Sequence, residues 1–130
     1  MAGKIIADTL ETGAGADIAT SYVVNGSAKM FIDIPADIAS INNSLNVSSL
    51  DDDGTGDGGI NLSSSLDSSN YVVVSASDDG GSLTPVRAHD VTNGTQASSG
   101  YDFEAFYVNS NTNRTNSDAR TYSAIFGDLA

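Results

Sequence analysis

The alternation of apolar and polar positions predicts strands along most of the chain and almost no helix. Within 28–34, Met30, Ile32 and Ile34 fall on one face and Phe31 and Asp33 on the other, the period-2 signature of a half-buried strand. Pro35 has no N–H to donate, so it ends that strand or marks a sheet edge. In 41–50, Ile41, Leu45 and Val47 share one side, with Asn42 and Asn46 opposite. The run Asp51-Asp52-Asp53-Gly54-Thr55-Gly56-Asp57-Gly58-Gly59 reads as a turn, because glycine supplies positive φ and aspartate caps its own backbone. Ile60 and Leu62 resume the alternation, which makes 44–64 a β-hairpin. Tyr71-Val72-Val73-Val74 is the most apolar run and predicts a central strand buried on both faces.

The second half repeats the pattern. Asp78-Asp79-Gly80-Gly81 marks a turn, 83–91 an edge strand limited by Pro85, and Asn93-Gly94 a hairpin. In 101–108, Tyr101, Phe103, Ala105 and Tyr107 alternate with Asp102 and Glu104. Residues 110–119 read as a polar loop, and a last strand over 120–127 gathers Tyr122, Ala124 and Phe126. About seven to eight short strands at this spacing predict an all-β fold, a single antiparallel β-sandwich or barrel-like domain over residues 21–130. Residues 1–20 stand apart as an N-terminal arm. Its apolar patch of Ile5, Ile6 and Leu10 is the candidate anchoring or oligomer contact.

Composition narrows the function classes. At 130 residues there is room for one core. The net charge of −12, from 5 lysines and arginines against 17 aspartates and glutamates, excludes nucleic-acid binding and docking on anionic lipid. No apolar run reaches the roughly 18–20 residues of a membrane-spanning helix, and Met1–Gly13 lacks the apolar centre of a secretory signal. With no cysteine there are no disulfides, thiolate metal sites or cysteine nucleophiles.

Candidate chemistry is sparse. Asp51, Asp53 and Asp57 offer clustered oxygen ligands of the kind calcium prefers, but neither Gly54 nor Gly56 sets an EF-hand register with a closing glutamate. A solvated hairpin tip is the favoured reading, and no cofactor is expected. His89, the single histidine, lies beside Asp90 without a Gly-x-Ser-x-Gly elbow to pair with. Glu11 and Glu104 are the only glutamates for paired-carboxylate work. No phosphate-binding glycine loop is present. The expectation is therefore a protein without enzymatic activity. The 110–119 segment, with Asn111, Asn113 and Arg114, is the candidate contact loop.

Several motifs occur in a familiar order. Tyr22-Val23-Val24-Asn25-Gly26-Ser27-Ala28-Lys29 precedes an aromatic strand. Ser44-Leu45-Asn46-Val47-Ser48-Ser49-Leu50, Asp53-Gly54-Thr55-Gly56-Asp57, the D-x-x-N-Y run Asp67–Tyr71, and Ala124-Ile125-Phe126-Gly127-Asp128 follow. Over roughly 20–128 this resembles a module of virion structural proteins of tailed bacteriophages, notably tail-fibre and similar proteins of marine and cyanobacterial phages. The resemblance carries no catalytic residues. It implies a virion protein that docks on the particle and contacts host-surface glycan or protein, or alternatively a capsid decoration, cement or tail accessory protein. It also implies a homo-oligomer, with a trimer favoured, and contacts with other virion proteins.

Overall fold

The computed structural model describes residues 7–11, 13, 15, 17–78, 86–92, 94–108 and 113–128. Two short strands, β1 (Thr9–Glu11) and β2 (Asp17–Ala19), and one short helix, α1 (Thr20–Gly26), precede the main body. The rest is built from β3 (Met30–Ile34), β4 (Asn43–Leu45), β5 (Val47–Gly54), β6 (Asp57–Leu62), β7 (Val72–Asp78), β8 (Val86–Val91), β9 (Gly100–Val108), β10 (Arg114–Asn116) and β11 (Arg120–Phe126). All pairings are antiparallel, and the fold is an all-β, sandwich-like domain, as the alternation predicted.

One sheet has the order β4-β3-β11-β7. The other runs β5-β6-β9, with β8 on the far edge of β9. β6 pairs with the first half of β9 and β10 with the second half of the same edge, so β10 continues the line of β6. Between them the Ala105 N–H donates to the Gly56 carbonyl at 2.6 Å, and the Ala105 carbonyl accepts from Ser117 N–H at 3.0 Å. The segment 110–119, expected to be a loop throughout, therefore contains a strand. Its polar side chains do not prevent this, because an edge strand is held by backbone bonds and leaves its outer face in water.

The two sheets share a strand interrupted at one residue. Asn46 adopts φ 58, a left-handed conformation that asparagine tolerates better than most residues. There the chain leaves the first sheet as β4 and enters the second as β5. The Asn46 amide donates to the carbonyls of Lys29 (3.1 Å) and Ser64 (3.0 Å), and its carbonyl oxygen accepts from Ser64 N–H at 2.7 Å. The expected continuous strand over 41–50 is broken by this corner.

Met30, Ile32, Ile34, Ile38, Ile60, Leu62, Leu66, Tyr71, Tyr101, Phe103 and Ile125 form the core between the sheets. It is lean, and part of it is polar. Thr121 and Ser123 are buried inward-facing residues of β11. The Tyr101 and Ser123 hydroxyls share a 2.6 Å hydrogen bond across the sandwich, and the Ser77 and Thr121 hydroxyls lie 3.3 Å apart. Burial holds the Tyr101 hydroxyl far above its ordinary ionisation range, so it stays neutral and must be hydrogen-bonded.

This pattern overturns one expectation. β7 is an edge strand of its sheet, not a central one buried on both faces. Val73 packs on the core, and Ser75 and Ser77 share its side of the strand. Val72 and Val74 face solvent, 62% and 56% exposed. The run of three valines carries no parity, so the sequence alone does not say which of them points inward. The partner strand decides it. Tyr122, Ala124 and Phe126 do share one face of β11, but it is the outer face.

The shared Tyr101–Ser123 bond yields a stability prediction. Ser123→Ala leaves a buried tyrosine hydroxyl without this partner and should cost about 1–3 kcal/mol. Tyr101→Phe should cost less, since the Ser123 hydroxyl keeps the Val74 carbonyl within reach at 3.4 Å. The double variant should lose less than the sum of the two singles. Urea unfolding of the four proteins measures this, and strict additivity would refute the coupling.

Candidate functional site

Strand register turns the outer face of each sheet into a set of cross-strand rows, and the two faces differ in chemistry. On the β4-β3-β11-β7 sheet one row reads Leu45, Phe31, Ala124, Val74. A second reads Asn43, Asp33, Tyr122, Ala76. Val72 and Phe126 form a shorter row on one side, and Arg120 and Asp78 close the other end. The middle of this face is a shallow depression of about 380 Å³ lined by Phe31, Val74, Ala76, Tyr122 and Ala124 among others. It forms because β11 places a small residue, Ala124, between the larger Phe31 and Val74.

The charges among these rows are Asp33, which lines the depression, and Arg120 and Asp78 at one end of it. Arg120 donates to both carboxylate oxygens of Asp33, at 3.0 and 2.7 Å, and its guanidinium lies 5.1 Å from the centre of the Tyr122 ring. The hydrogen bond from Arg120 holds the Asp33 carboxyl below the usual carboxylate range, and the same bond raises the arginine above its own. A two-pronged pair of this kind is more directional than a lysine contact would be.

The other outer face is acidic. Asp51, Gly59 and Asp102 form one row, and Asp57, Glu104 and Asp90 another. Gly59 lies under the first two carboxylates: a Cβ there would sit 3.0 Å from Asp102 Oδ1 and 3.5 Å from Asp51 Oδ2. Like charges directly opposite each other destabilise a sheet. Arg114 relieves the second row, ion-pairing with Glu104 and lying 3.7 Å from Asp90 while its guanidinium covers the Phe106 ring at 3.9 Å.

The residues singled out in the sequence fall as follows. Asp51 accepts from the Asn61 amide at 2.8 Å. Asp57 belongs to the row with Glu104, and Asp53 sits at a register shift between Asp52 and Gly54. Asp52 and Asp118 serve the hairpin tip, accepting from Gly54 N–H at 3.1 Å and Gly56 N–H at 2.7 Å. Among the described residues no group of three or more histidines, cysteines or carboxylates is placed to hold a metal ion. Arg114 is drawn into the sheet as a counter-ion, and Asn113 is exposed just before it. Asn111, Ile5 and Ile6 lie outside the described residues.

Leu10 lies on β1 opposite Ile18, and both are exposed. α1 buries none of its residues and carries Tyr22, Val23 and Val24 in the open, Tyr22 at 76%. Lys29, itself buried, donates through Nζ to the Val24 carbonyl and, at 2.9 Å, to the Ser27 hydroxyl, which ties the helix end to the base of β3. The apolar outer face of β4-β3-β11-β7 was not foreseen. The sequence signal for it is the valine–serine alternation of β7 set beside the Tyr122-Ala124-Phe126 alternation of β11.

His89 faces the core, its ring stacked on Phe103 at 4.7 Å and edge-on to Tyr101 at 6.2 Å. Among the described residues neither ring nitrogen has a hydrogen-bond partner, and both are buried. The Ser75 hydroxyl, the serine bonded to this residue, donates to its backbone carbonyl at 3.3 Å and not to the ring. This is packing geometry, without the nucleophile–base contact that covalent catalysis uses. No family model, curated protein or solved structure matches the chain. Among the described residues no helix is long and apolar enough to cross a membrane.

Burial lowers the His89 imidazole to about 4, against a smaller opposing effect of Asp90. The unfolded chain binds this proton below about pH 6.5 and the folded chain does not until about 4, so folding stability is lost as the pH is lowered across that window. The full loss is about 3 kcal/mol. His89→Phe should flatten the stability curve between pH 4 and 6.5, as read by thermal melts at fixed ionic strength. An unchanged slope would show that other groups set it. The Asp33 contribution is lost mostly below this window, as the pH falls toward its depressed folded range.

Proposed function

We propose that the chain is a non-enzymatic structural module of a tailed-phage particle, a tail-fibre-like attachment or display unit. In this reading the arm docks on other virion proteins, copies of the module associate, and the acidic side of the sandwich points to solvent and toward the host surface. The observation that carries it is the difference between the outer faces: one mostly apolar, its charges limited to Asp33, Arg120 and Asp78, the other bearing rows of carboxylates. A domain that stood alone would gain by covering Val72 and Val74, and this one leaves them open. The exposed residues Leu10, Ile18, Tyr22, Val23 and Val24 supply a second apolar surface for assembly.

The arm is the part to test. Deleting residues 1–12 should abolish incorporation into particles while leaving the far-UV circular dichroism and melting temperature of the isolated protein nearly unchanged. Incorporation at the wild-type level would overturn the anchoring role. Counting copies per purified particle by quantitative gel separates the two structural readings, with a few expected for a fibre and many for a capsid decoration or cement protein.

A further inference from the structure

We propose that β8 is an acid-sensitive latch: protonation of the inward-facing His89 ring releases this edge strand from the sandwich while the rest of the fold stays closed.

The strand is placed for such a movement. Among the described residues β8 is hydrogen-bonded on one side only, to β9, and β7 likewise only to β11. The two strands lie side by side where the sheets approach each other, with no ladder between them. The described bond across this seam runs from the Ser75 hydroxyl to the His89 carbonyl at 3.3 Å. A strand held by one neighbour is the part of a sheet that opens at least cost.

The ring has no place for a second proton. It lies almost parallel to Phe103, with 13° between the planes, and edge-on to Tyr101. Both nitrogens are buried, and among the described residues neither has a partner. A neutral imidazole tolerates that site better than an imidazolium, which brings two donors and a charge. The packed elements supply no counter-ion. From β9 come Tyr101, Phe103 and Ala105, of which only Tyr101 titrates, and its hydroxyl is engaged with Ser123. From β7 come Val73, Ser75 and Ser77, and from β11 Thr121, Ser123 and Ile125, all neutral. The positions of the same parity on β8 itself are Arg87 and Val91, neither of them an acid. Asp90, Asp102 and Glu104 alternate onto the outer face, where Arg114 pairs with Glu104 and approaches Asp90. The field of Asp90 favours the charged ring, and burial outweighs it.

Moving β8 brings the ring to water and disrupts the β8–β9 ladder and the packing of Val91. It leaves Met30, Ile32, Ile34, Ile60 and Ile125 between the sheets. Complete unfolding gives up those contacts too, so the local route is the cheaper one. A ring that titrates near 6.5 when open and near 4 when closed raises the open population about twentyfold between pH 7 and pH 5.

Hydrogen exchange of the whole chain at pH 7 and pH 5, followed by mass spectrometry and corrected for the intrinsic pH dependence of exchange, tests this. Protection over 86–91 should fall about twentyfold, while that over 30–34 and 120–126 should hold. His89→Phe, which keeps a ring without a titrating nitrogen, should remove the difference. Unchanged protection over 86–91, an equal loss in every strand, or a pH-dependent loss that survives in a folded His89→Phe protein would each overturn the latch. If His89→Phe does not fold, the ring resonances of the single histidine in the wild-type chain decide. A midpoint well below 6.5, with the β8 amide signals shifting along the same curve, supports the latch. A midpoint at the ordinary value, or β8 signals that do not follow the ring, overturns it.

Discussion

The hydrogen bond between the Tyr101 and Ser123 hydroxyls fixes more of this molecule than its energy alone suggests. A buried tyrosine needs a partner for its oxygen, and across the sandwich the partner is on β11. Strand pleating then leaves no freedom. With Ser123 inward, Thr121 and Ile125 are inward too, and Tyr122, Ala124 and Phe126 are outward. β11 pairs with β3 on one side and β7 on the other, so its register also sets the orientation of Val72, Val73 and Val74. A polar contact inside the core thereby determines which apolar residues appear on the surface.

The opposite sheet obeys a different constraint. Its outer face stacks carboxylates strand against strand, an arrangement that is tolerable because water solvates them and because Arg114 is brought over the row by the short strand β10. The guanidinium also covers the Phe106 ring, so one side chain serves as counter-ion and as apolar cover. Arg120 does the corresponding work on the other face. Two of the few cations in a strongly acidic chain are thus assigned to opposite sides of the sandwich, and each quiets the local repulsion of its own sheet.

The sequence made legible those strands in which one parity is apolar and the other polar. β3 and β9 are of that kind, and the hairpin of β5 and β6 was legible too, although the run 51–59 expected to be its turn is strand on both sides of a two-residue tip, Thr55 and Gly56. β7 was misread because three consecutive valines have no parity, and only the contact made by its neighbour resolves them. The corner at Asn46 was hidden because one left-handed asparagine leaves no periodic trace. β10 was hidden because edge pairing depends on backbone bonds, to which the polar composition of the segment is indifferent. The apolar face was missed along with the orientation of β7: a face is a property of register between strands distant in sequence. Asp51, Asp53 and Asp57 were correctly seen as neighbours along the chain, yet a strand and a register shift send them to different places.

The opening and closing strands of the sandwich, β3 and β11, are adjacent members of one sheet, with Met30 across from Ile125. The points at which the polypeptide enters and leaves the body are therefore about one strand spacing apart, roughly 5 Å. A body with that geometry can be grafted into an exposed turn of an unrelated carrier without prying the carrier open, since the host backbone has almost no gap to span.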